Sequence, residues 1–179
     1  MELEKKFCTS DQSLRLVDQY QIEGYASMFG RVDNGGDIVE RGAYEKCLEA
    51  KSGPGQIKML WQHDPATPIG VWDSITVDEV GLYAKGRLLE DVQKAREAAA
   101  LLTARAIDGL SIGYRTLKSK KSEAGQRLLT EIDLWEVSLV TFPMLNDATV
   151  AAKKDDKTPE DDLGILATIA EARRMLAAF

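Results

Sequence analysis

Ser111 stands in the run Asp108-Gly109-Leu110-Ser111-Ile112-Gly113-Tyr114, with a glycine two residues away on either side. A hydroxyl flanked by so little side-chain bulk can be approached closely, as a nucleophile must be. It attacks an acyl carbon only when a base takes its proton, and imidazole is the commonest such base. The chain holds a single histidine, His63, so imidazole chemistry has one seat. A third group should fix the imidazole tautomer and stabilise the imidazolium, and with no second histidine it must be a carboxylate or an amide. In Ile132-Asp133-Leu134-Trp135-Glu136-Val137-Ser138-Leu139-Val140, strict alternation puts Glu136 on the inward, apolar set with Ile132, Leu134 and Val140. Glu131 and Asp133 then point outward to solvent. An ionised carboxylate turned inward requires a partner. A bulge near Trp135 would instead flip Glu136 outward. Asp64 and Asp108 are rivals for the third place, each with a turn or cap role at hand.

Each of these residues also has a plainer reading. Ser111 can be a solvent-facing strand serine, with Gly113 marking a bend. On the functional reading, the missing side chain of Gly113 leaves an open shelf beside an exposed hydroxyl. His63 can be a strand-end histidine, half buried beside Trp61 and bonded to a carbonyl.

Periodicity indicates the elements that must carry these groups. Residues 1–13 are polar and read as a flexible N-terminus. Loose alternation over 14–26 predicts one or two strands broken near Asp18-Gln19. The cluster Asp33-Asn34-Gly35-Gly36-Asp37 is a turn, and residues 43–50 form a short helix ended by Ser52-Gly53-Pro54-Gly55. Residues 56–61 read as a strand with Ile57, Met59 and Trp61 on one face, and the same alternation carries His63, where Asp64-Pro65 turns the chain. Strands over 69–77 and 81–89 follow, joined through Asp78-Glu79. Asp91 is placed to cap a helix over 92–107 whose stripe is Val92, Ala95, Ala99, Leu102 and Ala106, with Gly109 as its stop. Residues 110–118 and 128–142 are strands around a solvated loop, the second ended by Pro143. Many short strands with few helices predict a mainly β fold with flanking helices (α+β), a closed or nearly closed β-barrel surrounded by helices. That domain spans 14–152. Beyond it, 153–179 is a charged linker followed by an amphipathic helix with Ile165, Ile169, Ala172, Leu176 and Phe179 in its stripe.

Composition narrows the function. The 179 residues, 44% apolar and 29% charged, are those of a globular chain. A net charge of −6 argues against a protein that binds a phosphate backbone. No apolar run approaches membrane-spanning length and no basic-then-apolar leader is seen, so neither a membrane span nor a signal peptide is expected. Two cysteines, Cys8 and Cys47, are too few for a disulfide framework, and with one histidine they make a zinc site improbable. No cofactor is expected.

Three of these segments, Trp61-Gln62-His63-Asp64, then Gly109 to Tyr114, then Leu134-Trp135-Glu136-Val137-Ser138-Leu139-Val140-Thr141-Phe142-Pro143, resemble in order and spacing the tailed-phage prohead maturation protease family. Asp37-Ile38-Val39-Glu40-Arg41-Gly42-Ala43-Tyr44 resembles that family's turn and helix. Each motif is weak alone; together they are specific, and the resemblance runs from Tyr20 to Val150. It implies a serine endopeptidase with a fold similar to the herpesvirus assemblin protease. Its nucleophile and base carry over to Ser111 and His63. The herpesvirus enzymes use a second histidine as third member, which this chain lacks, and the resemblance implies Glu136 in its place.

The family digests the internal scaffold, or the scaffold-like extension of the major capsid protein, inside the immature head, and commonly cleaves itself. The implied setting is therefore the host-cell cytoplasm within the assembling head, with no nucleic-acid or membrane partner, and an assemblin-like homo-oligomer by analogy. The tail past Val150 lies outside the resemblance and suits an interaction segment, a site of self-cleavage, or a helix packed back on the barrel. Two rivals stand beside this reading. One is a non-catalytic assembly protein of the same fold. The other is a small-substrate esterase or amidase, against which stands the lack of a Gly-x-Ser-x-Gly elbow.

Overall fold

The computed structural model describes residues 4–8, 14–33 and 35–141. Chain order gives β1 (Glu4–Cys8), β2 (Arg15–Leu16), β3 (Gln21–Met28), β4 (Asp37–Val39), α1 (Glu45–Ala50), β5 (Lys58–Trp61), β6 (Asp64–Val77), β7 (Gly81–Leu88), α2 (Gln93–Thr103), β8 (Gly109–Lys121) and β9 (Arg127–Val140). The strands form one sheet in the order β1-β8-β9-β5-β6-β7-β3-β2, with β4 also paired to β9. The sheet curls into a half-barrel, the mostly-β architecture that the density of strand signals implied. Ile22, Ile69, Leu82, Leu110, Ile112, Leu129, Ile132, Leu134, Val137 and Leu139 are all buried in one core.

Most neighbouring strands are antiparallel, but β5 runs parallel to β9, with Lys58 opposite Glu136 and Trp61 opposite Leu139. Parallel pairs slant their hydrogen bonds and need long crossovers. Here the crossover runs from Gln62 to Gln126. That one pairing lays the end of β5 beside the end of β9, and with it two of the candidate site residues.

Four local expectations are corrected. Residues 4–8, inside the segment read as flexible, form β1 along the free edge of β8, with Phe7 opposite Ser111. An unpaired β8 edge is a row of open donors and acceptors that a nearby strand satisfies, whatever that strand's polarity. The turn read at Asp64-Pro65 lies one step earlier, at Gln62-His63, and Asp64 already belongs to β6. Asp91 does not cap α2, whose N-cap is Val92 without a side-chain bond. Nor does Gly109 stop that helix, which ends at Thr103. Arg105 sits in the left-handed region at φ 55°, its N–H bonded to the Leu102 carbonyl and that of Ala106 to Leu101. This is the two-bond Schellman arrangement with a non-glycine at its left-handed position. The alanine stripe of α2 does face the core through Ala95, Ala98, Ala99 and Leu102. Pro143 and the 153–179 tail lie outside the described residues.

Local ties hold the half-barrel's rim. The turn at Asp33–Asp37 is fastened to β9 by the Asp37 carboxylate, which accepts Arg127 Nε at 2.8 Å. Asp78, between β6 and β7, accepts the Tyr25 hydroxyl at 2.5 Å and the N–H groups of Val80 and Gly81. Among the described residues no helix is long and apolar enough to cross a membrane.

Two outcomes follow. Arg105→Gly removes a left-handed strain of about 1–2 kcal/mol against a smaller entropic cost of glycine, so it should raise unfolding stability by about 0.5–1 kcal/mol in denaturant melts. The hydrogen bond to Asp78 pushes the Tyr25 phenol from 10.0 up to about 12. A raised folded pKa means this tie contributes at neutral pH and is lost as pH climbs from 10 toward 12. Ultraviolet titration of wild type against Asp78→Asn should show one tyrosine that ionises at lower pH in the variant.

Candidate active site

His63 is delivered by a two-residue hairpin. Trp61 of β5 pairs with Asp64 of β6, and the residues between them, Gln62 and His63, have φ of 52° and 62°. Tight hairpins with the right twist demand left-handed backbone at both central positions and usually take Asn-Gly there. Placing Gln-His instead costs strain of the kind found at functional sites, where the surrounding structure over-determines the conformation. The determinants are visible. The Gln62 N–H donates to the Leu139 carbonyl at 2.9 Å, and the Gln62 side chain spans to Thr141, donating to its hydroxyl at 2.6 Å and accepting its N–H at 3.4 Å. The turn is thereby bolted to the end of β9.

Ser111 and Glu136 come from the paired strands β8 and β9. Ser111 lies opposite Ser138, and Gly113 opposite Glu136. Between Gly113 and Tyr114 the register slips, leaving Trp135 as an extra residue on β9. This bulge breaks the alternation on which Glu136 was assigned to the inward set. Ile132 and Leu134 face the core before it, Val137 and Leu139 after it, so Glu136 and Ser138 turn to the opposite face of the sheet. A bulge did flip Glu136 off the core face, yet not into water, for the residue is 4% exposed. That face is also the one carrying Ser111 and His63.

The three candidate side chains meet there. His63 Nε2 is 2.6 Å from Ser111 Oγ, and His63 Nδ1 is 2.5 Å from Glu136 Oε1. With Glu136 as the carboxylate acceptor, Nδ1 carries the ring proton and Nε2 accepts the serine hydroxyl. The second carboxylate oxygen, Oε2, accepts the hydroxyl of Ser138. Sequence reasoning passed over Ser138 and Gln62; the signal for the first was its position two residues from Glu136 on the same strand face. The rivals for the third place are elsewhere: Asp64 is exposed and holds Ala66 N–H and the Thr67 hydroxyl, and Asp108 is exposed. Glu131 and Asp133 are engaged by Lys46 and Lys118, and by Lys51 and Arg115.

Gly113 has a different part from the open shelf expected of it. A Cβ there would lie 2.0 Å from Glu136 Oε1 and 2.6 Å from the carboxyl carbon, so the missing side chain is the space the carboxylate occupies. Ser111 is likewise not exposed: it is fully buried, with β1 along one side of its strand, β9 along the other and the imidazole on its hydroxyl. Among the described residues no group of three or more His, Cys, Asp or Glu is arranged to hold a metal ion. What the arrangement can do is move a proton from a hydroxyl to an imidazole whose charge a buried carboxylate would balance.

The model of the caudovirus prohead serine proteases matches residues 9–161. The chain belongs to that family. It is 33% identical over 136 residues to the prohead protease of enterobacteria phage HK97, an alignment covering 74% of this chain. The chain spans 60% of the length of that relative. Its fold is similar to the capsid assembly protease of bacteriophage T4, with a TM-score of 0.62 at 15% identity, over 78% of this chain and 97% of the other. His63, Ser111 and Glu136, one from each of three of the four segments on which the resemblance was read, meet on one face of the sheet.

The close fit at Gly113 yields a test. Gly113→Ala should expel the Glu136 carboxylate and so break its bond to His63 while leaving both residues in the chain. Because the histidine is unique, its ring N–H proton can be followed by NMR without assignment; it should be present in wild type and gone in the variant, with the backbone spectrum otherwise preserved.

Proposed function

We propose that this protein is a serine endopeptidase of prohead maturation, with Ser111 as nucleophile, His63 as general base and acid, and Glu136 as the carboxylate that orients His63. The observation that carries the reading is the unbroken line of contacts from Ser111 Oγ through His63 to Glu136 Oε1, at 2.6 and 2.5 Å. Family membership supports a protease, and the names of its relatives, a prohead protease and a capsid assembly protease, support the setting. The proposed substrates are the scaffold protein or the scaffold-like part of the major capsid protein, and the chain itself. The proposed place of action is the interior of the immature head in the host cytoplasm.

In the proposed reaction Ser111 Oγ attacks the scissile carbonyl carbon while His63 Nε2 takes its proton. The tetrahedral oxyanion collapses, the C–N bond breaks, and the imidazolium gives its proton to the leaving amine. Water, deprotonated by His63, then attacks the acyl-enzyme and releases Ser111. Glu136 contributes by balancing the transient positive charge on the ring and by keeping the proton on Nδ1, so that Nε2 is the acceptor in the first step. Burial strengthens both effects, since charges interact more strongly away from water.

The test is cleavage of a co-expressed capsid or scaffold substrate, followed by intact mass. Ser111→Ala and His63→Ala should each lower the rate by at least about a thousandfold, and Glu136→Gln by about a hundredfold or more, with folding unchanged. Equal cleavage by wild type and Ser111→Ala would end the serine-protease reading. A folded wild type that cleaves nothing even within assembling heads would favour a non-catalytic assembly protein of the same fold.

A further inference from the structure

The two oxygens of the Glu136 carboxylate have different partners. One faces His63; the other is held by a residue to which the mechanism above gives no part. We propose that Ser138 is a positioning residue of this site, its hydroxyl anchoring the second oxygen of Glu136 so that the first stays aimed at His63 Nδ1. The proposal rests on the protease reading and adds a fourth side chain to it.

The carboxylate needs an anchor for a geometric reason. The terminal torsion of a glutamate is broad and nearly two-fold, so rotamer preference alone does not fix which way the oxygens point. On the β8 side the residue opposite is Gly113, which makes room for the carboxylate but offers it no side-chain donor. His63 arrives from a separate hairpin and is itself bolted to Thr141 through Gln62, so it cannot follow a carboxylate that swings. A hydrogen bond from Ser138 removes that freedom at the source. The donor is well chosen: Ser138 is two residues along the same strand, shares the face with Glu136, and is fully buried, so no water competes for its proton.

The hydroxyl also meets the charge. Glu136 is 4% exposed, and an ionised carboxylate so far from water is stable only if its oxygens are met by donors. The titratable groups presented to it by neighbouring elements are His63 from the turn and Lys58, its register partner on β5. Lys58 turns its ammonium to the Gly55 carbonyl at 3.0 Å, and β8 offers Gly113. Ser138 thus supplies a neutral donor to the oxygen that His63 does not reach.

The experiment uses the full chain and needs no knowledge of the cleavage sequence. NMR of the single histidine reads the Nδ1–H proton shared with Glu136 in wild type, Ser138→Ala, Ser138→Gly and Ser138→Thr. The expected result is a slowly exchanging, far-downfield resonance in wild type, its loss in the alanine and glycine variants, and its return in threonine, which keeps the hydroxyl. Cleavage of the co-expressed substrate should fall about tenfold in the alanine and glycine variants, the scale of one hydrogen bond to a charged group, and recover in threonine. A serine that merely fills space would leave the resonance intact in folded Ser138→Ala, and that outcome overturns the proposal, as would its absence from wild type. Failure of the protease reading shows itself separately: the resonance follows the Ser138 series as expected, while Ser111→Ala cleaves as wild type does.

Discussion

A carboxylate buried in a protein interior must be met on every side by hydrogen-bond donors or it will not stay charged. Glu136 is such a group, and much of this fold can be understood as the apparatus that surrounds it. The bulge at Trp135 turns it off the core face. The absence of a side chain at Gly113 gives it room. The left-handed hairpin at Gln62-His63 brings the imidazole to one oxygen, and Ser138 meets the other. Remove any of these and the others lose their purpose, since a histidine without its carboxylate has no fixed tautomer.

The half-barrel divides its labour by face. On the core side, Leu110, Ile112, Val137 and Leu139 form the apolar wall that holds β8 to β9. On the opposite side the same strands alternate to Ser111, Gly113, Glu136 and Ser138. Strand geometry, with its two-residue period, lets one stretch of chain serve packing and chemistry at once. Pairing of adjacent strands also sets the spacing between Ser111 and Glu136 more tightly than loops could. The histidine alone comes from a turn, and that turn is held to the strands by backbone and side-chain bonds.

Much of this was legible in the residues. The strand-rich architecture follows from alternation and turn signals, and the candidates Ser111, His63 and Glu136 from a scarcity argument: one histidine, one serine between glycines, one carboxylate out of step with its neighbours. What alternation could not supply was the phase change at Trp135. Alternation assigned Glu136 to the core face, and the structure puts it on the opposite face beside His63, because a bulge leaves no mark in hydrophobicity when both faces are buried. The hairpin at Gln62-His63 was hidden for a related reason. Left-handed turns are read from Asn and Gly, and here tertiary bonds to Leu139 and Thr141 impose that conformation on residues that do not favour it. Arg105 at the end of α2 is another left-handed non-glycine, held there by bonds to its own helix. The polarity of residues 4–8 likewise said nothing of the vacant β8 edge waiting for them.

The parallel alignment of β5 with β9 has a bearing on when this site can exist. His63 and Glu136 are separated by 73 positions in the chain, and their alignment requires a crossover through three further strands and a helix. Pairings of such long range form late, since the entropy of closing the loop is met before any contact rewards it. During synthesis β9 is the last of the described strands to leave the ribosome, and until it docks against β5 the imidazole has no Glu136 beside it. The topology thus orders events in time: His63 and Glu136 meet only after the long-range pairing of β5 with β9 has closed.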